Sequence, residues 1–439
     1  MIASDGPPEA ITGFRRKGSA LPAGQRAIWP GGEAPAGGGS GAGRDGWSLP
    51  GKRIWHRMAK ASALAGQAGQ ARRLPIRPGR PAALAAPSCA DRGKDYEARI
   101  ALCDSAYGQA ANPDDAATAL GYKAEAQRML GRLDEAAATL RAALRLAPQN
   151  PWYWVELGHV RFDDGDPAGA VAHYSTAVEL DPQDLYARLN RAEGWWRLNA
   201  PDRCLADSGQ AVEASPDDPW ANLVQGRCLT GLGRAEEALA HLDRALATDP
   251  AQAAVRIARV SALLALGRAE EALAAADEGL AALPPEEAPG REGLRILRLQ
   301  AMARSQPIEA TLAEAAALAA DYPANLAVPA VKVRVLTQAG RLDEAGTEAA
   351  PLRDAETAGE PMQGSFHDAL AQQDLARGDT VSATRHFTLA MALDPALARI
   401  YTRGLSALGF LPLSSARHNV ALALQRCLQA MGAECRIGS

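Results

Sequence analysis

Apolar residues recur at spacings of three and four along short stretches of this chain, as in Leu133-Asp134-Glu135-Ala136 through Leu146. That spacing places them on one face of an α-helix. The stretches themselves repeat. Pro148, Pro182, Pro216, Pro250 and Pro284 lie 34 residues apart. Gly131, Gly165, Asn199, Gly233 and Gly267 keep the same interval, and so do Ala136, Ala170, Cys204, Ala238 and Ala272. Each class predicts a position in a pair of helices. The Gly or Asn ends the first helix, because these residues tolerate the left-handed cap conformation. The small residue five places later sits where two helices cross closely. The Pro stops the second helix, since it has no N–H to continue it. Acidic residues open the second helices, where they suit the helix dipole.

These positions resemble the tetratricopeptide repeat family. The second repeat carries its pattern most fully, in Trp154, Leu157, Gly158, Gly165, Ala170, Tyr174, Ala177 and Pro182. The fourth carries Gly226, Gly233, Ala238, Leu242, Ala245 and Pro250. The resemblance implies an all-α fold, a right-handed superhelical solenoid of antiparallel helix pairs with a concave inner face. One repeat cannot bury its apolar face alone, but a stack of them builds a continuous core. Five regular repeats are expected over 117–284, after a partial N-terminal repeat at 95–116. Divergent helical repeats are expected over 285–363, where Pro307, Pro329 and Pro351 interrupt the pattern and call for altered turn lengths. A further repeat is expected at 364–395, with Gly378, Ala383, Phe387, Ala390 and Pro395. Residues 396–439 are expected to form capping helices, one ending at Gly409 and one from Val420 to Met431.

Composition adds a boundary at the other end. Residues 1–85 hold 13 Lys or Arg against 4 Asp or Glu, whereas the remainder is acidic. The basic segment is rich in Gly and Pro and lacks an amphipathic period. Residues 1–94 therefore read as a low-complexity, disordered segment rather than a nucleic-acid domain, and no nucleic-acid partner is expected. Only 6 of the 47 basic residues are Lys, a bias that with the Ala, Gly and Pro excess suggests a GC-rich bacterial genome. No stretch approaches the length of a transmembrane helix. The N-terminus lacks the apolar core of a secretory signal, although Leu84-Ala85-Ala86-Pro87-Ser88-Cys89-Ala90-Asp91 resembles the end of one. The chain is expected in the cytoplasm as it is written, and exported or periplasmic if a signal has been lost from it.

In the tetratricopeptide family the inner groove is lined mainly by the first helix of each repeat. Carried over, this gives Trp152, His159 and Phe162 in the second repeat, Tyr186, Glu193, Trp196 and Arg197 in the third, and Trp220 and Arg227 in the fourth. Aromatic residues and Arg anchor interfaces through large buried area and planar multi-donor contacts. Trp152, Trp196 and Trp220 have a second reading as packing between repeats, and Trp154 and Trp195 sit at core positions. Some relatives hold a chaperone's C-terminal carboxylate in a Lys/Asn clamp. The corresponding inner positions here, Gly121, Val155, Leu189, Leu223 and Ile257 with Glu125, His159, Glu193, Arg227 and Ser261, contain neither residue.

Six cysteines are present. Cys204 and Cys228 read as buried packing residues. Cys89 and Cys103 flank the start of the ordered region, and Cys427 and Cys435 the end of the last helix. Their spacing fits no zinc site. They are either free thiols or two disulfides pinning the ends of an exported solenoid. The stretch Arg99-Ile100-Ala101-Leu102-Cys103 also resembles the opening of exported bacterial repeat proteins.

Little points to catalysis. The G-x-G-x-x-G match at 41–46 follows no strand and sits in a Gly-rich run. Asp163-Asp164-Gly165-Asp166 lacks the later ligands of a calcium loop. The seven His are scattered, and His173 and His241 are expected on exposed faces. No cofactor or metal site is expected, and no enzyme. The sequence reads as a protein-binding scaffold that holds a peptide or helix of a partner in its groove. A second reading is an envelope-associated structural or assembly protein whose C-terminal helices contact cell wall or a secretion complex. They faintly resemble helical peptidoglycan-binding modules. A substrate-recruiting arm of an enzyme is disfavoured, since no segment of catalytic size is left over.

Overall fold

The structure, a computed structural model, describes residues 89–90, 95–250, 252–411, 420–435 and 437. The segment 1–94, apart from Cys89 and Ala90, lies outside the described residues, and with it the Gly41–Gly46 run. The described residues form twenty α-helices and no strand, a right-handed superhelical solenoid of antiparallel helix pairs. Helix α1 (Tyr96–Gly108) precedes the regular pairs. These are α2 (Pro113–Met129) with α3 (Leu133–Leu146), α4 (Pro151–Asp163) with α5 (Pro167–Leu180), and α6 (Leu185–Arg197) with α7 (Pro201–Ala214). They continue with α8 (Pro219–Gly231) and α9 (Ala235–Thr248), then α10 (Ala253–Ala265) and α11 (Ala269–Ala282). Within each pair the two helices pack together. Successive first helices α2, α4, α6, α8 and α10 also pack on one another, so they make one continuous layer.

The turns explain the period. Gly131, Gly165, Asn199, Gly233 and Gly267 all adopt positive φ, at 76°, 78°, 57°, 77° and 75°. Each closes its first helix with the same two hydrogen bonds. At the second repeat Gly165 N donates to Phe162 O (3.1 Å) and Asp166 N to Arg161 O (2.9 Å). This is the paired closure of a Schellman motif, which leaves few orphan carbonyls. At the other turn Asn150, Asp184 and Asp218 accept hydrogen bonds from backbone N–H groups of the next first helix. The five small residues at the crossing, from Ala136 to Ala272, are all fully buried. Gly158 faces the Tyr174 ring so closely that no Cβ would fit.

The interrupted stretch keeps helices with altered lengths. Helix α12 (Ala288–Ser305) is 18 residues long, against 13 for α4, α6, α8 and α10. Pro307 caps α13 (Ile308–Asp321), and Pro329 lies in the first turn of α14 (Ala327–Gln338). The next second helix is split at Ala349 into α15 (Leu342–Glu348) and α16 (Ala350–Thr357). Pro351 falls in the first turn of α16, where its missing N–H costs nothing. Helices α17 (Gly364–Ala376) and α18 (Thr380–Leu393) restore a regular pair.

The chain ends in α19 (Pro395–Ala407) and α20 (Val420–Met431). Tyr401, Leu405, Val420, Leu424 and Leu428 join Ala371, Leu375, Phe387 and Ala390 in one buried cluster. The last helices thus cover the apolar face of α17 and α18, as the end of a solenoid requires. The end of α18 and helix α19 also return to the middle of the solenoid. Asn199 Nδ2 donates to Leu393 O (3.1 Å), and Arg399 Nη2 donates to Gly231 O (2.8 Å).

Candidate functional site

The first-helix layer of the second to fourth repeats carries eight of the nine candidate groove residues as two linked side-chain groups. In the first group Arg227 Nη1 donates to both Glu193 carboxylate oxygens, at 3.0 and 2.9 Å. The Arg227 guanidinium also lies 4.8 Å from the Trp196 ring centre. Arg197 lies 5.3 Å from both the Trp196 and Phe162 rings, with its Nε 4.0 Å from Glu193. These are cation–π distances, and they fix the planes of both guanidinium groups. Phe162, Glu193, Trp196 and Arg227 are half-buried, and Arg197 is exposed.

The second group runs along the same layer. Tyr186 packs on Trp220 with ring centres 5.5 Å apart and meets His159 edge-on at 5.9 Å. His159 Nε2 lies 3.0 Å from Asn190 Oδ1, and its Nδ1 3.5 Å from Glu156. Asn190 Nδ2 donates in turn to Tyr186 O (2.8 Å). Sequence reasoning passed over Asn190 and Glu156. Both are buried polar residues on first helices, and 34 residues separate them. A polar residue held at one register of an otherwise apolar helix face was the signal for them.

Trp152 reaches this site only through Glu156. It is 5% exposed, packs on Tyr122 and Tyr153 at 5.0 and 5.2 Å, and donates its ring N–H to Glu156 (3.2 Å). It is inter-repeat packing, the second of its two readings. Gly121 makes room for it: a Cβ there would meet the Trp152 ring at 2.5 Å. Nearby Arg128 is held between Asp163 (2.7 Å) and Glu156 (3.8 Å). Burial opposes its charge, but the two carboxylates outweigh burial and raise its pKa. His173 and His241, expected on exposed faces, are half-buried instead. His173 packs against Trp154 at 5.8 Å, and His241 Nδ1 lies 2.9 Å from Asn222 Oδ1.

The six cysteines stand as three disulfides. Cys89 joins Cys103 with Cα atoms 4.8 Å apart, and Cys427 joins Cys435 at 5.7 Å. Cys204 and Cys228 are buried, as packing residues are, and are also bonded to each other, at 5.6 Å. Cys204 takes the small position of α7, and that position faces the adjoining helix α8.

Family models of the tetratricopeptide repeat match residues 117–160, 155–219, 205–256 and 229–289. Residues 117–289 are tetratricopeptide repeats. No curated protein matches the chain in sequence. Solved structures similar to it include a tetratricopeptide repeat protein from Parabacteroides merdae ATCC 43184, at 15% identity and TM-score 0.37. That match covers 66% of this chain and 93% of the other. A second is PilW, a type IV pilus biogenesis factor, at 19% identity and TM-score 0.43, covering 48% and 96%. A third is YrrB, a tetratricopeptide repeat protein with an unusual peptide-binding site, at 20% identity and TM-score 0.35, covering 44% and 96%. No described helix is long and apolar enough to cross a membrane.

Proposed function

We propose that this chain is a binding scaffold. In this reading, the first-helix layer of repeats two to four takes a peptide or helix of a partner protein. The observation that carries it is the Arg197 guanidinium set between the Phe162 and Trp196 rings, beside the Arg227–Glu193 pair. These side chains are fixed before any partner arrives, so binding costs little side-chain entropy. Their planar cations and half-buried rings are the residue types that dominate interface energies. A peptide that brings a carboxylate to Arg197 and an apolar side chain to Trp196 or Trp220 matches this chemistry.

The test begins with peptides selected from a displayed random library on the full chain. Their Kd is measured by fluorescence anisotropy. Trp196→Ala together with Trp220→Ala should raise Kd at least tenfold, the size of a typical hot spot, with helical circular dichroism intact. An unchanged Kd rejects the groove. The three disulfides support a compartment more oxidising than the cytosol, as the envelope reading also requires. Mass mapping of the native protein without reductant should find all six cysteines paired. Free thiols throughout would reject that compartment.

A further inference from the structure

Outside the groove, three helices bring one Glu and two His together. Glu356 lies in the last turn of α16, His367 on α17 and His386 on α18. Their ligand atoms all lie within 4.8 Å of one another. Glu356 Oε2 is 3.2 Å from His386 Nε2, and Glu356 Oε1 is 3.9 Å from His367 Nδ1. Tetrahedral zinc, with bonds of about 2.0–2.1 Å, sets its ligand atoms about 3.4 Å apart. The Glu356–His386 spacing is close to that geometry, and His367 lies farther out, so its ring would draw inward on binding.

We propose that Glu356, His367 and His386 form a binding site for a divalent transition metal of the zinc class. Three features beyond proximity carry this. The first is tautomer control. His386 is fully buried, and its Nδ1 lies 2.7 Å from Asp374 Oδ2, while Arg353 holds the other oxygen of Asp374. A carboxylate on Nδ1 leaves the Nε2 lone pair pointing at the Glu356 oxygen. That carboxylate–imidazole arrangement is the support a metal-binding His normally has. The second is an orphan atom. His367 is 5% exposed, and its buried Nδ1 makes no hydrogen bond. An ion pair between His386 and Glu356 alone would leave this buried nitrogen unsatisfied, at a cost. The third is a cation already between two ligands. Arg385 Nη2 stands 3.0 Å from His386 Nε2 and 3.1 Å from Glu356 Oε2. Its side chain is 59% exposed and has water to swing into.

Two imidazoles and one carboxylate leave one zinc position for water or a partner's side chain. The metal would tie the short helix α16 to the pair α17 and α18, across the turn that ends in Gly359. All six cysteines are in disulfides, so no thiol competes for the ion.

The test uses the tag-free, disulfide-intact full chain, stripped with chelator and titrated with Zn²⁺ in a calorimeter. A parallel Co²⁺ titration is followed by visible absorption, and Zn²⁺-loaded protein by X-ray absorption. One ion per chain is expected, with two imidazoles and oxygen ligands in its first shell. His367→Gln should weaken binding at least a hundredfold. Asp374→Asn should weaken it about ten- to a hundredfold, as loss of an outer partner does. Arg385→Ala should tighten it, because it removes the competing cation. His367→Gln keeps a polar side chain of similar size at a site where the native Nδ1 makes no hydrogen bond, so the fold should survive, and circular dichroism checks this. Binding that is absent, unchanged in His367→Gln, or without two imidazoles around the metal would overturn the site.

Discussion

Asn199 shows how firmly one residue is constrained. It is the lone non-glycine with positive φ among the described residues, at 57°, where the other repeats have Gly. Asn tolerates this conformation better than other side chains do, because it can hydrogen-bond locally. Here it also bonds Leu393 O. Asn199→Ala keeps the Cβ but removes the amide, so it should lose about 0.5–1.5 kcal/mol, the net worth of one hydrogen bond, read by urea unfolding. A stability equal to wild type would mean that this bond contributes nothing. The cap was legible in the sequence because a backbone requirement is local and recurs at every repeat. The role of Trp152 was not, since only Tyr122 and Tyr153 decide whether that ring is groove or packing.

At the scale of elements, helix ends and buried faces were legible where a proline or the period marks them. Helix α20 begins at Val420 and ends at Met431, as the apolar spacing predicts. The split second helix follows Pro351. The Cys204–Cys228 bond was not legible, because the period gives each residue a place but not the facing residue of the next helix. The second-helix histidines escaped for the same reason. Burial lowers the pKa of both His173 and His241, with Arg161 and Arg244 respectively adding to it. Their folded values lie below the unfolded value of about 6.5. The unfolded chain then takes up protons first as pH falls. Their contribution is complete above about pH 6.5 and declines as pH falls through that value. Urea midpoints measured from pH 7.5 to 5 should fall, and His173→Gln with His241→Gln should flatten the slope. An equally steep slope in the double variant would place the sensitivity elsewhere.

For the whole molecule, a solenoid is close to a one-dimensional array, in which each repeat is stabilised by itself and its neighbours. The 34-residue period encodes only that, and nothing in it announced contacts across 194 and 168 residues. Those two bonds join the end of α18 and helix α19 to the turns closing α6 and α8, the helices that carry Trp196 and Arg227. The first-helix layer and the chain end are therefore in contact, as they would not be in a simple array. Arg399 is the better probe, because its guanidinium bonds a main-chain oxygen that survives any substitution in the fourth repeat. Arg399→Ala should speed amide hydrogen exchange in α19. In the coupled molecule it should also speed exchange at 229–234, where the Gly233 turn receives the contact. Exchange that rises in α19 alone would show that the array is one-dimensional after all. Where both regions respond, a partner in the groove should slow exchange in α19 by the same linkage, since coupling between two sites acts equally in both directions.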